Sequence, residues 1–215
     1  MMTTEEVGCL RSDVGRQKAE VGKEQGRDTM VCGDPKTWFP MRVTYSREMK
    51  VKAELERLGI ECFVPMTYKL VESQNHGEAE LRKELVPAIN NLIFVRSVQE
   101  RISELKLSNE MLEPLRYIMD RTAGKKPEIM TVPNWQMENF MRVASKTDDS
   151  VMFLDEQSII GKEGRRVRIM GGPFEGVEGV IRRVKRCKRV VVEIEGIACV
   201  AIAYVPVEWL KEEGL

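Results

Sequence analysis

Four glycines stand just ahead of a run of basic residues, a combination that can bind phosphate. The stretch VRIMGGPFEGVEGVIRRVKR covers residues 167–186 and contains Gly171, Gly172, Gly176 and Gly179. A phosphate-binding loop needs GxxxxGK(S/T) or GxGxxG between a strand and a helix, because the helix N-terminus supplies free N–H groups. Neither spacing occurs, and the residues after Gly179 have a strand pattern. We therefore predict a tight turn at the Gly-Gly-Pro segment and close backbone approach at the last two glycines.

The residue types that perform covalent or acid–base catalysis are scattered along the chain. The single histidine, His76, lies in the polar segment ESQNHGEAE, and no Ser-His-Asp, Cys-His or HExxH arrangement can be assembled. Asp148 and Asp149 are neighbours in a polar stretch, which favours a solvated linker over a catalytic dyad. We therefore predict a protein that is not an enzyme and that uses no metal and no cofactor.

Cysteine content and charge narrow the remaining classes of protein. The five cysteines form no CxxC pair, and their odd number argues against a disulfide framework; they are Cys9, Cys32, Cys62, Cys187 and Cys199. Cys62 and Cys199 lie in apolar, strand-like segments and are predicted to be core thiols. The chain has 34 basic and 34 acidic residues, which argues against binding polyanions over the whole surface. Because no apolar run of membrane length and no secretion signal occur, we expect a cytoplasmic protein without membrane contact.

The elements that must position these residues begin at Trp38, because residues 1–35 are polar and are predicted to form a disordered tail. In chain order the pattern predicts a strand at 38–45, a helix at 47–58 capped by Ser46 and ended by Gly59, a strand at 60–65, a hairpin tip or loop at 72–80, a strand around 92–95, a helix near 98–107, a strand at 115–120 and a helix after Pro133.

The apolar pattern of these elements predicts an α+β fold for residues 36–146. Leu92-Ile93-Phe94-Val95 is apolar on both faces, which predicts a central strand covered on both sides. Helical spacing places two sets of residues on buried faces; they are Val51, Leu55 and Leu58, and Met137, Phe140, Met141 and Ala144. The first domain is therefore predicted to be a sandwich of one sheet with helices.

The last third of the chain has only strand patterns. Residues 147–162 are polar and are predicted to be a linker. Short alternating strands separated by glycine turns over residues 163–215 predict a small β-barrel. The β-branched run at residues 190–192 favours a strand over a helix.

Several of these segments resemble one protein family. VRIMGGPFEGVEGVI resembles the KOW motif of the NusG family, and VVVEIEGIACVAIAYVPVEWL resembles the rest of that small SH3-like barrel. The strand at Trp38, its helix and NNLIFV resemble the N-terminal (NGN) domain of NusG, so the likeness spans about residues 38–212. NNLIFV lacks the Pro-Gly-Tyr of housekeeping NusG. This missing motif and the polar extension of residues 1–35 make the chain more similar to the specialised members RfaH and UpxY, regulators of capsular polysaccharide operons, than to housekeeping NusG.

The resemblance implies a function in transcription. The first domain would dock on the clamp helices of RNA polymerase and suppress pausing or termination. The barrel would recruit a ribosomal protein or a termination factor. Ile89, Leu92 and Phe94 match, by position, the polymerase-binding residues of RfaH-like members. Leu92 and Phe94 would then form an apolar platform on an open sheet face; the alternative is that all three are ordinary core residues.

Two groups of basic residues are candidates for nucleic-acid binding. Arg42, Arg47 and Lys50 flank the end of the first strand, a region that approaches non-template DNA in specialised family members; the alternative is a solvated basic face. The segment RRVKRCKR supplies six more basic residues, which are Arg182, Arg183, Lys185, Arg186, Lys188 and Arg189. They could meet leader RNA or an acidic protein, or protect a sheet edge from aggregation. A ribosome-associated or RNA-binding protein is therefore the alternative function.

Overall fold

The computed structural model describes residues 36–75, 78–120, 126–154 and 159–212. The predicted disordered tail, His76, Cys9 and Cys32 lie outside the described residues. The fold is mixed, with few helices and many strands, as the α+β prediction requires.

The first part of the described chain builds a four-stranded antiparallel sheet. Its elements are β1 (Thr37–Val43), α1 (Glu48–Arg57), β2 (Glu61–Phe63), β3 (Met66–Asn75), β4 (Glu78–Pro87), β5 (Leu92–Ser97), α2 (Gln99–Ser108), β6 (Leu115–Tyr117), β7 (Met119–Asp120), β8 (Glu128–Ile129) and α3 (Asn134–Ala144). The strand order in the sheet is β2-β5-β1-β6, which places β5 in the interior. Strands β3 and β4 form a separate hairpin of ten residue pairs, so strand structure continues into the predicted tip at 72–80.

Strand β5 is buried on both faces, which confirms the prediction of a central strand. Ile93 and Val95 pack with α1 and α2 in one apolar cluster. Leu92 and Phe94 point to the opposite face and pack with Phe140 of α3. The sheet is therefore enclosed between two helices on one side and α3 on the other.

Helix α1 begins differently from the sequence prediction. Ser46 does not cap it: its backbone is left-handed (φ 49°), whereas an N-cap residue is normally extended, and α1 has no side-chain cap hydrogen bond. The N–H of Ser46 instead donates to Asn91 Oδ1 at 3.2 Å. The end of the helix is as predicted, because Gly59 has φ 68° directly after the C-cap Leu58.

A second antiparallel sheet follows. Its strands are β9 (Val151–Phe153), β10 (Ile159–Ile169), β11 (Glu178–Val184), β12 (Cys187–Ile194), β13 (Ala198–Ile202) and β14 (Leu210–Glu212), in the order β14-β10-β11-β12-β13-β9. Strand β9 lies within the predicted linker and pairs with β13.

Among the described residues of the second sheet no closed barrel is found, so the barrel that the sequence predicts is not confirmed. Strands β9 and β14 are the two edges of the sheet and do not pair with each other within residues 151–154 and 159–212. Strand β9 occupies the edge of β13 that closure through β14 would need. The strand assignment at residues 190–192 is confirmed, because they lie in the middle of β12.

None of the helices in the described ranges has the length and apolar character needed to cross a membrane.

Candidate nucleic-acid and protein interfaces

The glycine-rich stretch forms a turn between two strands, as predicted. A short 3-10 segment, Gly172–Phe174, connects β10 to β11, and no α-helix follows it. Gly172 has φ 79°, and a Cβ atom added there would lie 2.3 Å from Cζ3 of Trp209. A Cβ on Gly179 would lie 2.8 Å from the carbonyl oxygen of Val191. The glycines therefore permit a tight turn under an indole ring and close strand packing.

The predicted apolar platform is not open. Phe94 is 0% exposed and Leu92 is 4% exposed, while Ile89 is half-buried beside the same cluster. The Phe94 ring lies 5.7 Å, centroid to centroid, from Phe140 of α3 and 6.5 Å from Phe63. The expectation of an open face was wrong because α3 covers it, and Ile89 is the one of the three predicted residues that keeps part of its surface accessible.

Helix α3 also joins the two sheets. Its side chains Gln136, Asn139 and Arg142 form hydrogen bonds with the backbone of β11, of β12 and of the turn before β11. We call this contact surface the α3 seam. Asn139 donates through Nδ2 to the carbonyl of Glu178 (2.6 Å) and accepts from the N–H of Glu178 (2.9 Å). Arg142 Nη1 donates to the carbonyl of Glu175 at 3.1 Å. Beneath these bonds, Phe140 and residues of the second sheet share one apolar cluster.

A strained turn follows β1. We call residues 44–47 the Tyr45 turn. Tyr45 (φ 64°, ψ 32°) and Ser46 (φ 49°) are consecutive non-glycine residues in the left-handed region. Each such residue costs roughly 1–2 kcal/mol, so the surrounding structure must hold the turn in place.

Asn91 supplies most of that support. Its Oδ1 accepts from the N–H of Ser46 (3.2 Å), and its carbonyl accepts from the N–H of Val43 (3.0 Å). The N–H of Asn91 donates to the carboxylate of Glu48, a side chain that is only 3% exposed. Asn91 itself is left-handed (φ 60°), a conformation that asparagine tolerates better than most residues.

The three basic residues predicted near this turn lie at the surface. Arg42, Arg47 and Lys50 are all exposed. The guanidinium of Arg47 stands over the Tyr45 ring, 5.6 Å from its centroid. Arg42 lies opposite Arg116 of β6. Like-charged neighbours on paired strands repel each other. Within the described ranges, neither Arg42 nor Lys50 forms an ion pair with an acidic side chain. The structure places Arg47 and Lys50 around the start of α1, whereas Arg42 shares the sheet face of its partner Leu92, opposite to the face that α1 covers.

The basic segment of the second sheet divides into two groups. Arg182 donates to Glu193 Oε1 at 2.6 Å, and Arg189 donates to the carbonyl of Ala203 at 2.8 Å, so both are engaged within the sheet. The second group consists of the exposed basic side chains, which are Arg183, Lys185, Arg186 and Lys188. Four cations at one hairpin turn leave a compact positive patch.

Among the described residues, Asp148 and two of the thiols take part in local or buried contacts. Asp148 accepts hydrogen bonds from the hydroxyl and the N–H of Ser150, which lower the pKa of its carboxyl and close a local turn. Cys199 is buried, as predicted, whereas Cys62 is partly buried beside the first sheet's core; burial raises the pKa of the Cys62 thiol to about 11. Within the described ranges, no group of three or more His, Cys, Asp or Glu side chains is placed to hold a metal.

Residues 36–141, which form the first sheet and most of α3, match the family described as transcription termination factor NusG. This part of the chain is therefore a NusG family domain. Factors of that family are non-enzymatic and generally bind RNA polymerase, so the domain indicates a transcription elongation or antitermination factor. No curated protein sequence matches the chain at a significant level.

Sequence reasoning missed Tyr45, Asn91 and the α3 seam. The sequence pattern places Tyr45 at the end of a strand, since an aromatic residue after Arg-Val-Thr continues a strand pattern. The Asn90-Asn91 pair was a usable signal, because asparagine is enriched at left-handed positions. The seam left no signal, because Gln136, Asn139 and Arg142 have the polar pattern of any solvated helix face.

Proposed function

We propose that this protein is a specialised NusG-type antitermination factor that binds RNA polymerase through its first domain and suppresses pausing or termination. The observation that carries the proposal is the NusG family match of residues 36–141, the part of the chain that folds as the four-stranded sheet. The degenerate NNLIFV and the polar extension support action within a surface or capsular polysaccharide operon. Such a factor would work in the cytoplasm, where the polymerase is.

The proposed polymerase contact is the apolar region around Ile89, Leu92 and Phe94. Ile89 is half-buried and would touch the clamp helices directly. Leu92 and Phe94 lie beneath α3 and would fix the shape of that region rather than meet the partner. Buried apolar anchors surrounded by less critical contacts are the usual source of binding energy at such interfaces.

The second sheet is proposed to be a KOW module that recruits a ribosomal protein or a termination factor. Its Gly-Pro-Phe turn and strand sequence support this assignment. Phe174 of that motif is 4% exposed and belongs to the cluster it shares with α3. A partner that needed this ring would first have to compete with α3.

A transcription assay with purified polymerase tests the proposed function. The full chain is added to elongation complexes on a template that carries the leader of its own operon and a terminator. We expect increased read-through on this template and less effect on an unrelated template of equal length. Equal termination with and without the protein on both templates would contradict antitermination.

RNA binding by the second sheet is the second candidate function, and the exposed group Arg183, Lys185, Arg186 and Lys188 favours it. The full chain carrying Arg183→Glu and Arg186→Glu is compared with one carrying Lys69→Glu and Lys83→Glu, a matched charge change at exposed positions of the β3–β4 hairpin. If RNA binding is the function, only the first pair abolishes the RNA mobility shift. If the variant with Arg183→Glu and Arg186→Glu still binds polymerase, that result supports the antitermination proposal.

A further inference from the structure

We propose that the outer edge of strand β4 pairs with the same edge of a second copy of this chain, so that two β3–β4 hairpins form one four-stranded sheet. The contact segment is residues 81–85, which read LRKEL. The proposal does not rest on the proposed function, because this contact needs neither polymerase nor nucleic acid.

The β3–β4 hairpin lacks a third strand. Within the described ranges, β3 and β4 pair with each other over ten residue pairs and with no other strand. A two-stranded hairpin on its own is marginally stable in water, and a further strand or a helix normally supports it. Residues 81–85 are all exposed, so the outer N–H and C=O groups of β4 are accessible to another strand.

One face of this hairpin is apolar and open to solvent. Leu70 is 64% exposed and Leu81 is 62% exposed, while Tyr68 and Leu85 are about half exposed. Tyr68 pairs with Leu85, and Leu70 pairs with Lys83. Because paired residues and alternate residues of a strand share one face, these five side chains lie on the same side. Several large apolar side chains exposed next to one another indicate a contact surface.

The sequence of the β4 edge is complementary to itself. In an antiparallel pair with its two-fold axis at Lys83, Leu81 of one copy lies opposite Leu85 of the other. In the same register Arg82 lies opposite Glu84. A two-fold axis repeats each contact, so the interface contains two leucine pairs and two pairs of opposite charge, both of which stabilise paired strands.

A second copy fits this edge better than an unrelated strand does. The order of side chains along residues 81–85 is apolar, positive, positive, negative, apolar, and the same segment reversed supplies the opposite charge at positions 82 and 84. The chain also has 34 basic and 34 acidic residues, so no net charge keeps two copies apart.

Lys83 is the unfavourable position of this register, because it faces Lys83 of the other copy and like charges directly opposite each other weaken a strand pair. Stable interfaces bury about 1,200–2,000 Å² in total, and a contact of five residue pairs is small beside that. We therefore expect a weak dimer whose population depends on protein concentration.

The test measures the mass of the full chain by sedimentation equilibrium over a range of protein concentrations. The variants are Arg82→Glu, Glu84→Arg and Lys83→Thr. The matched control is Glu104→Arg, which makes the same charge change as Glu84→Arg at an exposed position of α2. An equimolar mixture of the Arg82→Glu and Glu84→Arg proteins is also measured, and circular dichroism confirms that each variant is folded.

We expect the wild type and Glu104→Arg to dimerise with the same Kd. Arg82→Glu and Glu84→Arg should each weaken self-association by about tenfold or more, because each places two pairs of like charge in the contact. The mixture of these two variants should dimerise again, because every pair between the two different chains then joins opposite charges. Lys83→Thr should tighten the dimer by about 1.5-fold to about 5-fold, since it removes the one pair of like charges.

A wild-type chain that stays monomeric at every concentration would overturn the proposal. Self-association that survives both charge reversals would place the contact on another surface and overturn it as well. If both single variants are monomeric and their mixture also stays monomeric, the two-fold register is wrong. If the wild type is monomeric and Glu84→Arg weakens its binding to polymerase, the hairpin serves polymerase and the dimer is rejected.

Discussion

Replacing Phe94 with alanine separates a core position from an exposed contact. The ring is 0% exposed and packs against Phe140 of α3 and Phe63 of β2. Removing a fully buried phenylalanine costs about 3–5 kcal/mol, from lost transfer free energy and the cavity left behind. For a chain of this size that corresponds to a fall in Tm of about 6–20 °C.

The assay is urea unfolding of the full chain, followed by both far-ultraviolet circular dichroism and tryptophan fluorescence so that two-state behaviour is checked. Leu107→Ala is the control, because Leu107 is 91% exposed on α2 and its loss should change the free energy of unfolding by less than about 0.5 kcal/mol. A loss below about 1 kcal/mol for Phe94→Ala would refute the packing of α3 over this face. The residue would then be free to act as an open platform.

Three further predictions concern single groups. Burial raises the pKa of Cys62 to about 11, so this thiol should be alkylated far more slowly at neutral pH than exposed Cys187. Peptide mapping measures both rates, and equal rates would contradict the burial of Cys62. Hydrogen bonds, first from Arg57, lower the pKa of Glu54 from 4.5 to about 2, so its stabilising effect is present at neutral pH and lost as the pH falls from 4.5 to about 2. The stability gap between wild type and Glu54→Gln in urea should shrink across that window, and a constant gap would refute the assignment. Gly172→Ala should cost about 1–3 kcal/mol and alter tryptophan fluorescence, since φ is 79° and the new Cβ meets Trp209; an unchanged melt would exclude this geometry.

The elements that depend on a local pattern were predictable. The uninterrupted apolar run of β5 required cover on both sides, and the structure provides it. Gly59 ended α1 because few other residues adopt its left-handed backbone. The glycines between β10 and β11 lacked a following helix, so the turn interpretation was correct.

The parts that depend on distant contacts were not predictable. Serine is a favoured N-cap residue, so the sequence predicts that Ser46 caps α1. In the structure, its N–H donates to Oδ1 of Asn91, 45 residues away, and its backbone is held in a left-handed turn. Residues 151–153 are a short apolar run inside a stretch assigned to the linker because its other residues are mostly polar, and they pair with the edge of β13 as β9. The apolar face of β5 could be assigned from sequence, but its cover by α3 depends on how a helix 40 residues later packs.

The most direct test of the central claim is the affinity of the full chain for a purified transcription elongation complex, measured by biolayer interferometry. Ile89→Glu introduces a charge at the accessible part of the proposed contact, and Leu107→Glu introduces the same charge on α2. We predict binding by the wild type and by Leu107→Glu, and at least about tenfold weaker binding by folded Ile89→Glu. A wild-type protein that does not bind the complex, or an Ile89→Glu variant that binds equally well, would contradict the account.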